Sequence, residues 1–160
     1  MARLPEPWIE HLRQGPTLRV GASTAEGQPE LAMAHSARVL DDGRVELLLL
    51  IEQGAELLDA IRHTGRVAVS AGLPATSRVL HIKGADAEVM PAQEEHAPVF
   101  AAYFEAWLRQ IEAFGATRQQ VHAVLGDITL ERLGCVRFTP LGAWDQTPGP
   151  GAGQVVELLP

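Results

Sequence analysis

The sequence predicts an α+β fold built on a small antiparallel β-barrel. Three observations lead to this fold class. Consecutive segments of strand-like residues are joined by tight turn signals, helical segments are set irregularly between them, and one strand candidate has a glycine in its interior, as barrels do where a strand bends. A parallel α/β sheet would instead require strands and helices in regular alternation.

Length and composition fit an ordinary globular protein. The 160 residues fit one domain with one hydrophobic core, so we expect residues 1–160 to form a single domain. A net charge of −7 argues against nucleic acid and anionic membranes as partners, because both require clustered cations. No apolar run is long enough to span a bilayer, and the first residues lack the apolar core of a signal peptide. We therefore expect a cytoplasmic protein.

The first half of the chain predicts one helix and three strands. Gly15-Pro16 ends the helix, Ala25–Pro29 forms a hairpin loop, and Asp41-Asp42-Gly43 forms a second turn. The third strand is almost continuously apolar, which predicts burial on both of its faces. The elements are a helix over Glu6–Gln14 and strands over Thr17–Thr24, Glu30–Leu40 and Arg44–Leu50.

The second half predicts three helices and three further strands. Apolar residues at helical spacing give the longest helix an aromatic-rich face, which is typical of a core or a subunit interface rather than a cofactor site. A capping box at Thr117–Gln120 begins the last helix and Gly126 ends it. The other elements are helices over Gln53–His63 and Pro98–Phe114 and strands over Arg66–Ala71, Arg78–Met90 (with a bulge or bend at Gly84) and Cys135–Pro140.

Several common chemistries lack their sequence signatures. The chain contains no P-loop, no dinucleotide-binding glycine motif and no G-x-S-x-G. Its six histidines show no H-x-x-x-H spacing, so a metal site would have to be assembled from distant segments. Cys135 is the only cysteine, which excludes an internal disulfide, and its apolar neighbours predict a buried hydrophobic residue rather than a reactive thiol. Glu94-Glu95-His96 precedes a helix, where acidic residues favour the helix dipole.

The order of the motifs resembles the pyridoxamine 5′-phosphate oxidase-like FMN-binding split barrels. The motifs are an N-terminal helix, a meander with a G-x-P hairpin, a short helix before an RVAV strand, and an R-x-x-x-x-K-G strand. The stretch Phe138–Gly153, F-T-P-x-x-x-x-D-Q-T-P-G-P-x-A-G, is similar to the C-terminal end of one uncharacterised branch of that family. The resemblance extends from about Trp8 to Gly153.

This resemblance implies a six-stranded split barrel, a homodimer, and FMN held in two clefts between the subunits. It also implies an oxidoreductase whose substrate and catalytic residues are unknown. The cofactor-binding residues that it implies are His35, Ser36 and Arg38 on the second strand, Arg78, His81 and Lys83 on the fifth strand, and Trp144 and Gln146 in the C-terminal tail.

Strand geometry limits how many of these residues can contact one ligand. The FMN phosphate is close to a dianion, so it needs charge-assisted donors such as arginine and lysine. Arg78 and Lys83 are an odd number of residues apart, so in a regular strand they face opposite sides. Without a bulge near Gly84, only one of them can contact a single ligand; the alternative for each is an outward, solvated cation.

One segment departs from the family pattern. Where members have Ser-x-Lys at the start of the helix after the third strand, this chain has Ala55-Glu56-Leu57, with Glu52 nearby. Carboxylates beside a phosphate would repel it. Either another arginine replaces the usual phosphate contact, or the protein binds a different ligand or none. Two alternatives follow: a dimer that has lost flavin, and a haem-binding relative that uses a histidine such as His35 or His81 as axial ligand.

The C-terminal motif has two possible roles. The segment ends a strand with Trp144-Asp145-Gln146, and two prolines then prevent the strand from continuing. One aromatic and two polar side chains are therefore held in a fixed place. That arrangement suits a lid over a cleft at a dimer interface. The alternative is a structural corner in which Trp144 fills a gap and Asp145 caps the turn.

Overall fold

A computed structural model describes residues 2–160 and contains four α-helices and nine β-strands in one antiparallel sheet. The helices are α1 (Glu6–Arg13), α2 (Ala55–Thr64), α3 (His96–Glu112) and α4 (Arg118–Leu125). The strands are β1 (Thr17–Ser23), β2 (Pro29–Val39), β3 (Val45–Leu50), β4 (Val67–Leu73), β5 (Arg78–Gly84), β6 (Glu88–Pro91), β7 (Leu133–Phe138), β8 (Gly142–Asp145) and β9 (Gln154–Val156). The predicted α+β class is confirmed.

The strands lie in the order β6-β7-β3-β2-β1-β4-β5-β8-β9. Successive side chains of a strand point to opposite faces, and one face of this sheet packs against a common core. In β4, every second residue is buried and the residues between them are not; the buried ones are Val67, Val69, Ala71 and Leu73. Residues from β1, β3, β5 and β7 share that core with α1 and α2. Among residues 2–160 no pairing joins the end strands β6 and β9, so the sheet is not a closed barrel.

Strand β3 is buried along its whole length, between β2 and β7. Leu47 and Leu49 face the main core, whereas Leu48 and Leu50 join a smaller cluster with Cys135 on the opposite side of the sheet. Phe100 of α3 and Leu125 of α4 pack on that cluster. The predictions of a strand buried on both faces and of a buried Cys135 are confirmed.

The predicted strand Arg78–Met90 is wrong, because the chain forms two separate strands there. Strand β5 ends at Gly84, and β6 pairs with β7 at the other end of the sheet. The physical reason is a crossing between them: the Ala87 N–H donates to the Gly65 carbonyl at 2.8 Å, which draws the chain away from β5. Gly84 therefore marks the end of a strand rather than a bend within one.

The implied count of six strands is also wrong, since the sheet has nine. Besides β6, the C-terminal motif contributes the hairpin of β8 and β9. These three strands have only three or four residues each, too few for alternation to be recognised in the sequence.

The four predicted helices are present, with ends that differ by one to a few residues. Helix α3 begins at His96, and Pro98 lies in its first turn, where its missing N–H costs little. The predicted capping box of α4 is confirmed: the Gln120 N–H donates to the Thr117 hydroxyl, and the Gln120 side chain accepts from the Thr117 N–H. Across residues 2–160, none of the helices has the length and apolar character that crossing a membrane requires.

Candidate functional site

The outer face of the sheet, opposite the main core, carries two rows of side chains set by the strand register. Their neighbours along each strand point into the core, so these side chains point away from it. The first row runs Met33, Arg19, Ser70, His81, Trp144, Val155, and the second runs Leu31, Gly21, Ala68, Lys83, Gly142. Hereafter these two rows are called the outer face.

Three predicted site residues meet on this outer face, in what we name the His81–Lys83–Trp144 cluster. The Lys83 ammonium lies 5.3 Å from the centre of the Trp144 ring, within cation–π range, and the His81 ring meets Trp144 edge-on at 6.3 Å. Burial lowers the pKa of His81, and the charge of Lys83 lowers it further. The cluster therefore offers a neutral imidazole, an aromatic surface and a cation side by side.

A glycine sets the position of the aromatic ring. Trp144 leans over Gly142, where an added methyl group would lie 2.6 Å from the ring atom Cη2. Only a residue without a side chain allows the ring to lie this close to the backbone of β8. Because Gly142 pairs with Lys83, the ring is directed towards the lysine.

Arg78 lies on the other side of β5. Its guanidinium group stacks 4.0 Å above the ring of Trp8 in α1, while Lys83 points to the outer face. The pairing of β5 with β4 is regular from Arg78 to Gly84, so no bulge brings the two cations together. Arg78 and Lys83 therefore lie on opposite sides of β5, as their odd separation in the sequence predicts. Lys83 is the cation of the cluster.

The structure places His35 and Ser36 away from this cluster. They lie where the register of β2 against β3 shifts, and both side chains are buried. His35 borders a cavity of about 370 Å³ with Trp107 of α3 and Val124 of α4. Burial lowers its pKa, and its Nε2 has no hydrogen-bond partner among residues 2–160.

Arg38 is already engaged in a buried ion-pair cluster. Glu46, which is 2 % exposed, accepts from Arg38 on β2 and, at 2.8 Å, from Nε of Arg137 on β7. A second nitrogen of Arg38 donates to Glu95 at 3.2 Å. Burial alone would raise the pKa of Glu46, but the hydrogen bonds from the two arginines outweigh it and lower that pKa. The charge of Arg38 is thus compensated within the protein.

At the start of α2, where the resemblance implies a phosphate-binding segment, the residues are Ala55-Glu56-Leu57, with Glu52 nearby. Glu52 accepts from Nε of Arg132 at 2.9 Å, and this hydrogen bond lowers the pKa of Glu52. Arg132 also donates to the carbonyl groups of Asp127 and Leu125, so each of its three nitrogens donates within the protein. The nearby arginine therefore neutralises a carboxylate rather than replacing the missing lysine.

The C-terminal motif forms a capped turn. Asp145 accepts from the Thr147 N–H at 2.8 Å, and the Thr147 hydroxyl accepts from the Val79 N–H at 3.1 Å. The Gln146 N–H donates to the Val79 carbonyl at 2.8 Å, while its side chain is exposed. Asp145 thus has the predicted capping role, and half-buried Trp144 lies on the outer face rather than filling a gap in the core.

A groove on the outer face contains a cation that the sequence analysis missed. The groove measures about 490 Å³ and is lined by Arg66 as well as by Lys83. Steps of two residues along the chain lead from Arg66 to Ala68 and Ser70, the outward residues of β4. Arg66 therefore lies on the same side as these two residues. The sequence RVAVSA could have revealed this cation, because its inward residues Val67 and Val69 alternate with the outward residues Arg66 and Ala68.

Comparison with known proteins identifies the fold. No family model matches the sequence, and no curated protein matches it either. Among solved structures, HupZ of Group A Streptococcus superposes with a TM-score of 0.57 at 15 % identity, covering 94 % of this chain and 100 % of that one.

Two further structures are similar. A pyridoxamine 5′-phosphate oxidase-related, FMN-binding protein of Nostoc punctiforme has a TM-score of 0.51 at 12 % identity and covers 91 % of this chain and 85 % of its own. An F420 reductase has a TM-score of 0.54 at 12 % identity, with coverage of 88 % and 98 %. At these identities the likeness shows a shared fold, and the expected likeness to pyridoxamine 5′-phosphate oxidase-like proteins is confirmed at that level.

Proposed function

We propose that this chain binds FMN on its outer face, beside the His81–Lys83–Trp144 cluster, and acts as a small oxidoreductase in a homodimer. The observation that carries the proposal is the cluster itself: an aromatic ring held over Gly142 between a neutral imidazole and the ammonium of Lys83. A solved structure of the same fold is described as FMN-binding, which supports the choice of ligand.

The residues of the cluster suit this cofactor. FMN supplies hydride transfer when bound, and the protein supplies position and electrostatics. Trp144 offers a flat apolar surface for a planar ring, Lys83 offers a cation for an anionic group, and His81 offers a hydrogen-bonding nitrogen. Arg38 and the start of α2 do not fit the expected phosphate site, because Glu46, Glu95 and Glu52 already compensate the nearby arginines.

The proposed dimer would cover apolar side chains of the outer face. Leu31 is 74 % exposed, and Val155, which pairs with Trp144, is 70 % exposed. Leu141, which borders the outer face beside Gly142, is 71 % exposed. Apolar side chains grouped on one sheet face are a common mark of an interface between subunits. A second copy placed there would also cover the cluster and exclude water from it.

The first experiment is an absorption spectrum after equilibrium dialysis with excess FMN, together with the molar mass in solution. We expect retained flavin bands, a dimer, and weaker retention in Lys83→Gln and Trp144→Leu. Arg109→Gln is the matched control, since Arg109 is an exposed cation on α3, outside the outer face. A wild-type protein that retains no flavin at high FMN would overturn the proposal and leave the flavin-free dimer.

A haem site at His35 is a second candidate, favoured by one observation. His35 combines burial, a lowered pKa and an Nε2 without a partner among residues 2–160, beside a cavity lined by apolar Trp107 and Val124. A neutral imidazole is the form that ligates iron. A Soret band on titration with haemin that disappears in His35→Ala and persists in His81→Ala would support this candidate, and an unchanged haemin spectrum would exclude it.

A further inference from the structure

We infer that the outer-face groove selects an amphipathic anion, with Arg66 and Lys83 binding the negative group and the apolar walls holding the body of the ligand. This inference deepens the proposed function and rests on it, because it concerns the same face of the sheet. It assigns the role of the missing Ser-x-Lys segment to Arg66, just before β4, and to Lys83 on β5.

The register brings the two cations together. Lys83 on β5 pairs with Ala68 on β4, and Arg66, the residue just before β4 begins, lies two positions before Ala68. Such diagonal neighbours lie about 7–8 Å apart, so two long cationic side chains can contact one anionic group between them. Both side chains line the same groove.

Neither cation is compensated within the protein. Most arginines elsewhere pair with carboxylates, among them Arg38, Arg118 and Arg132. Among residues 2–160, Arg66 and Lys83 form no ion pair, although the chain carries a net charge of −7. Two neighbouring free cations in an acidic protein concentrate positive potential at one end of the groove.

The carboxylates near the groove do not neutralise this end. Glu30, which lines the groove, lies on β2, two strands from Arg66 and three from Lys83. Adjacent strands are about 4.8 Å apart, so Glu30 lies about 10 Å from Arg66 and about 14 Å from Lys83. At these distances dissolved salt screens most of the interaction between exposed charges. Asp86 follows Lys83 by three residues, but its Oδ1 is directed to the Thr139 N–H at 2.9 Å, and within residues 2–160 it forms no ion pair with Lys83 or Arg66.

Apart from Ser23 and Glu30, the rest of the groove is lined by apolar residues. Gly21 and Ala68 form its floor, and the exposed side chains of Leu31 and Leu141 form its walls. A methyl group on Gly21 would lie 3.4 Å from Leu31, so small residues keep the floor open. A volume of about 490 Å³ lies in the ordinary range for small-molecule sites. An inorganic anion would leave these walls uncovered, so the shape favours a ligand with an apolar body.

Comparison of FMN with riboflavin tests the inference, since the two share a ring system and differ by the phosphate. We expect FMN to bind the wild-type protein about tenfold more tightly than riboflavin, and the ratio to approach one in Arg66→Gln/Lys83→Gln. Arg62→Gln, which changes an exposed arginine on α2, should keep the wild-type ratio, and so should the charge-conserving Lys83→Arg. High salt should reduce the ratio in the wild-type protein.

The outcomes separate this inference from the proposed function. If FMN binds and the double variant keeps the wild-type ratio, the inference is overturned while the flavin proposal stands. If neither flavin binds, fluorescence of anilinonaphthalene sulfonate, an aromatic anion, replaces them as the probe. Enhanced fluorescence that is lost in the double variant and kept in Arg62→Gln supports the inference without flavin; equal fluorescence in all three proteins overturns it. Far-ultraviolet circular dichroism confirms that each variant is folded.

Discussion

The ring of Phe138 lies directly against the backbone of Gly84. A methyl group added to Gly84 would come within 2.4 Å of Cδ2 and 3.0 Å of Cγ of that ring. Phe138 is 1 % exposed and belongs to the main core, so its ring has little room to move. This contact joins the end of β5 to β7, strands that are far apart in the order of the sheet.

Gly84→Ala should therefore lower the free energy of unfolding by about 1–3 kcal/mol, the usual cost of forcing extra volume into a packed core. Urea denaturation measures the change. Gly72→Ala is the matched control, because its added methyl group would meet its nearest atom, in Val79, at 3.7 Å, an ordinary contact. The control should be neutral or slightly stabilising. Equal stability of the two variants would contradict the contact with Phe138.

Glu46 compensates two arginines and should be needed for stability. In Glu46→Gln the side chain keeps its shape but loses its charge, which leaves Arg38 and Arg137 without their shared partner. Removing one member of a fully buried pair costs about 3–5 kcal/mol, and the partial exposure of both arginines reduces the expected loss to about 2–3 kcal/mol.

Glu105→Gln is the control for this prediction. Glu105 pairs with Arg118 at 2.7 Å on the exposed surface between α3 and α4, where solvent screens the interaction. Urea denaturation should show almost no change for this variant. If the two substitutions have the same effect, the buried cluster does not stabilise the sheet.

Cys135 should be unreactive while the protein is folded. Its side chain is fully buried, and burial raises the pKa of the thiol to about 12. At about pH 8 roughly one thiol in ten thousand is then ionised, and the thiolate is the reactive form. A thiol-specific colour reagent should label the native protein very slowly and label one thiol per chain at once in concentrated urea. Rapid labelling of the native protein would show that β7 opens readily.

Turn signals and the alternation of apolar residues made most of the sheet predictable. Turn residues bounded β1, β2 and β3, and inward Val67 and Val69 alternate with outward residues along β4. Continuous apolarity likewise predicted that β3 is buried on both faces. The strand predicted to end at Trp144-Asp145-Gln146 agrees with β8, but β9 and its pairing with β8 were missed. A strand of three residues gives no measurable period, and the prolines and glycines before it indicate only a turn.

The candidate site was predictable only in part. The odd separation of Arg78 and Lys83 in the sequence predicted that they lie on opposite sides of β5, as the structure shows. The resemblance implied Trp144 and His81 as site residues. The engagement of Arg38 could not be foreseen, since its partners Glu46 and Glu95 are brought to it by strand pairing and by the docking of α3. Contacts between segments so distant in the chain leave no local pattern in the sequence.

Two buried histidines should make the protein less stable in mild acid. Burial lowers the pKa of His11 and of His35 below the ordinary value near 6.5. His11 donates from Nε2 to the Ala71 carbonyl at 2.9 Å, which leaves Nδ1 as a buried acceptor that must be protonated to charge the ring.

The sign of the effect follows from these lowered values. The unfolded chain takes up protons as the pH falls below about 6.5, whereas the folded protein does so only at lower pH. Stability is therefore complete above about 6.5 and is lost as the pH falls through the lowered pKa of the folded state. The carboxylate of Glu46 does not contribute in this range, because its ordinary pKa is 4.5.

Urea denaturation at about pH 7.5 and about pH 5.5 should show a lower free energy of unfolding at the more acidic value. His11→Gln keeps a donor for the Ala71 carbonyl but cannot titrate, so its stability should depend less on pH over the same range. Gln28→Ala is the control, since Gln28 is exposed in the loop between β1 and β2 and does not titrate, so this variant should keep the pH dependence of the wild-type protein. A wild-type stability that is constant or rises towards pH 5.5 would contradict the burial of neutral histidines.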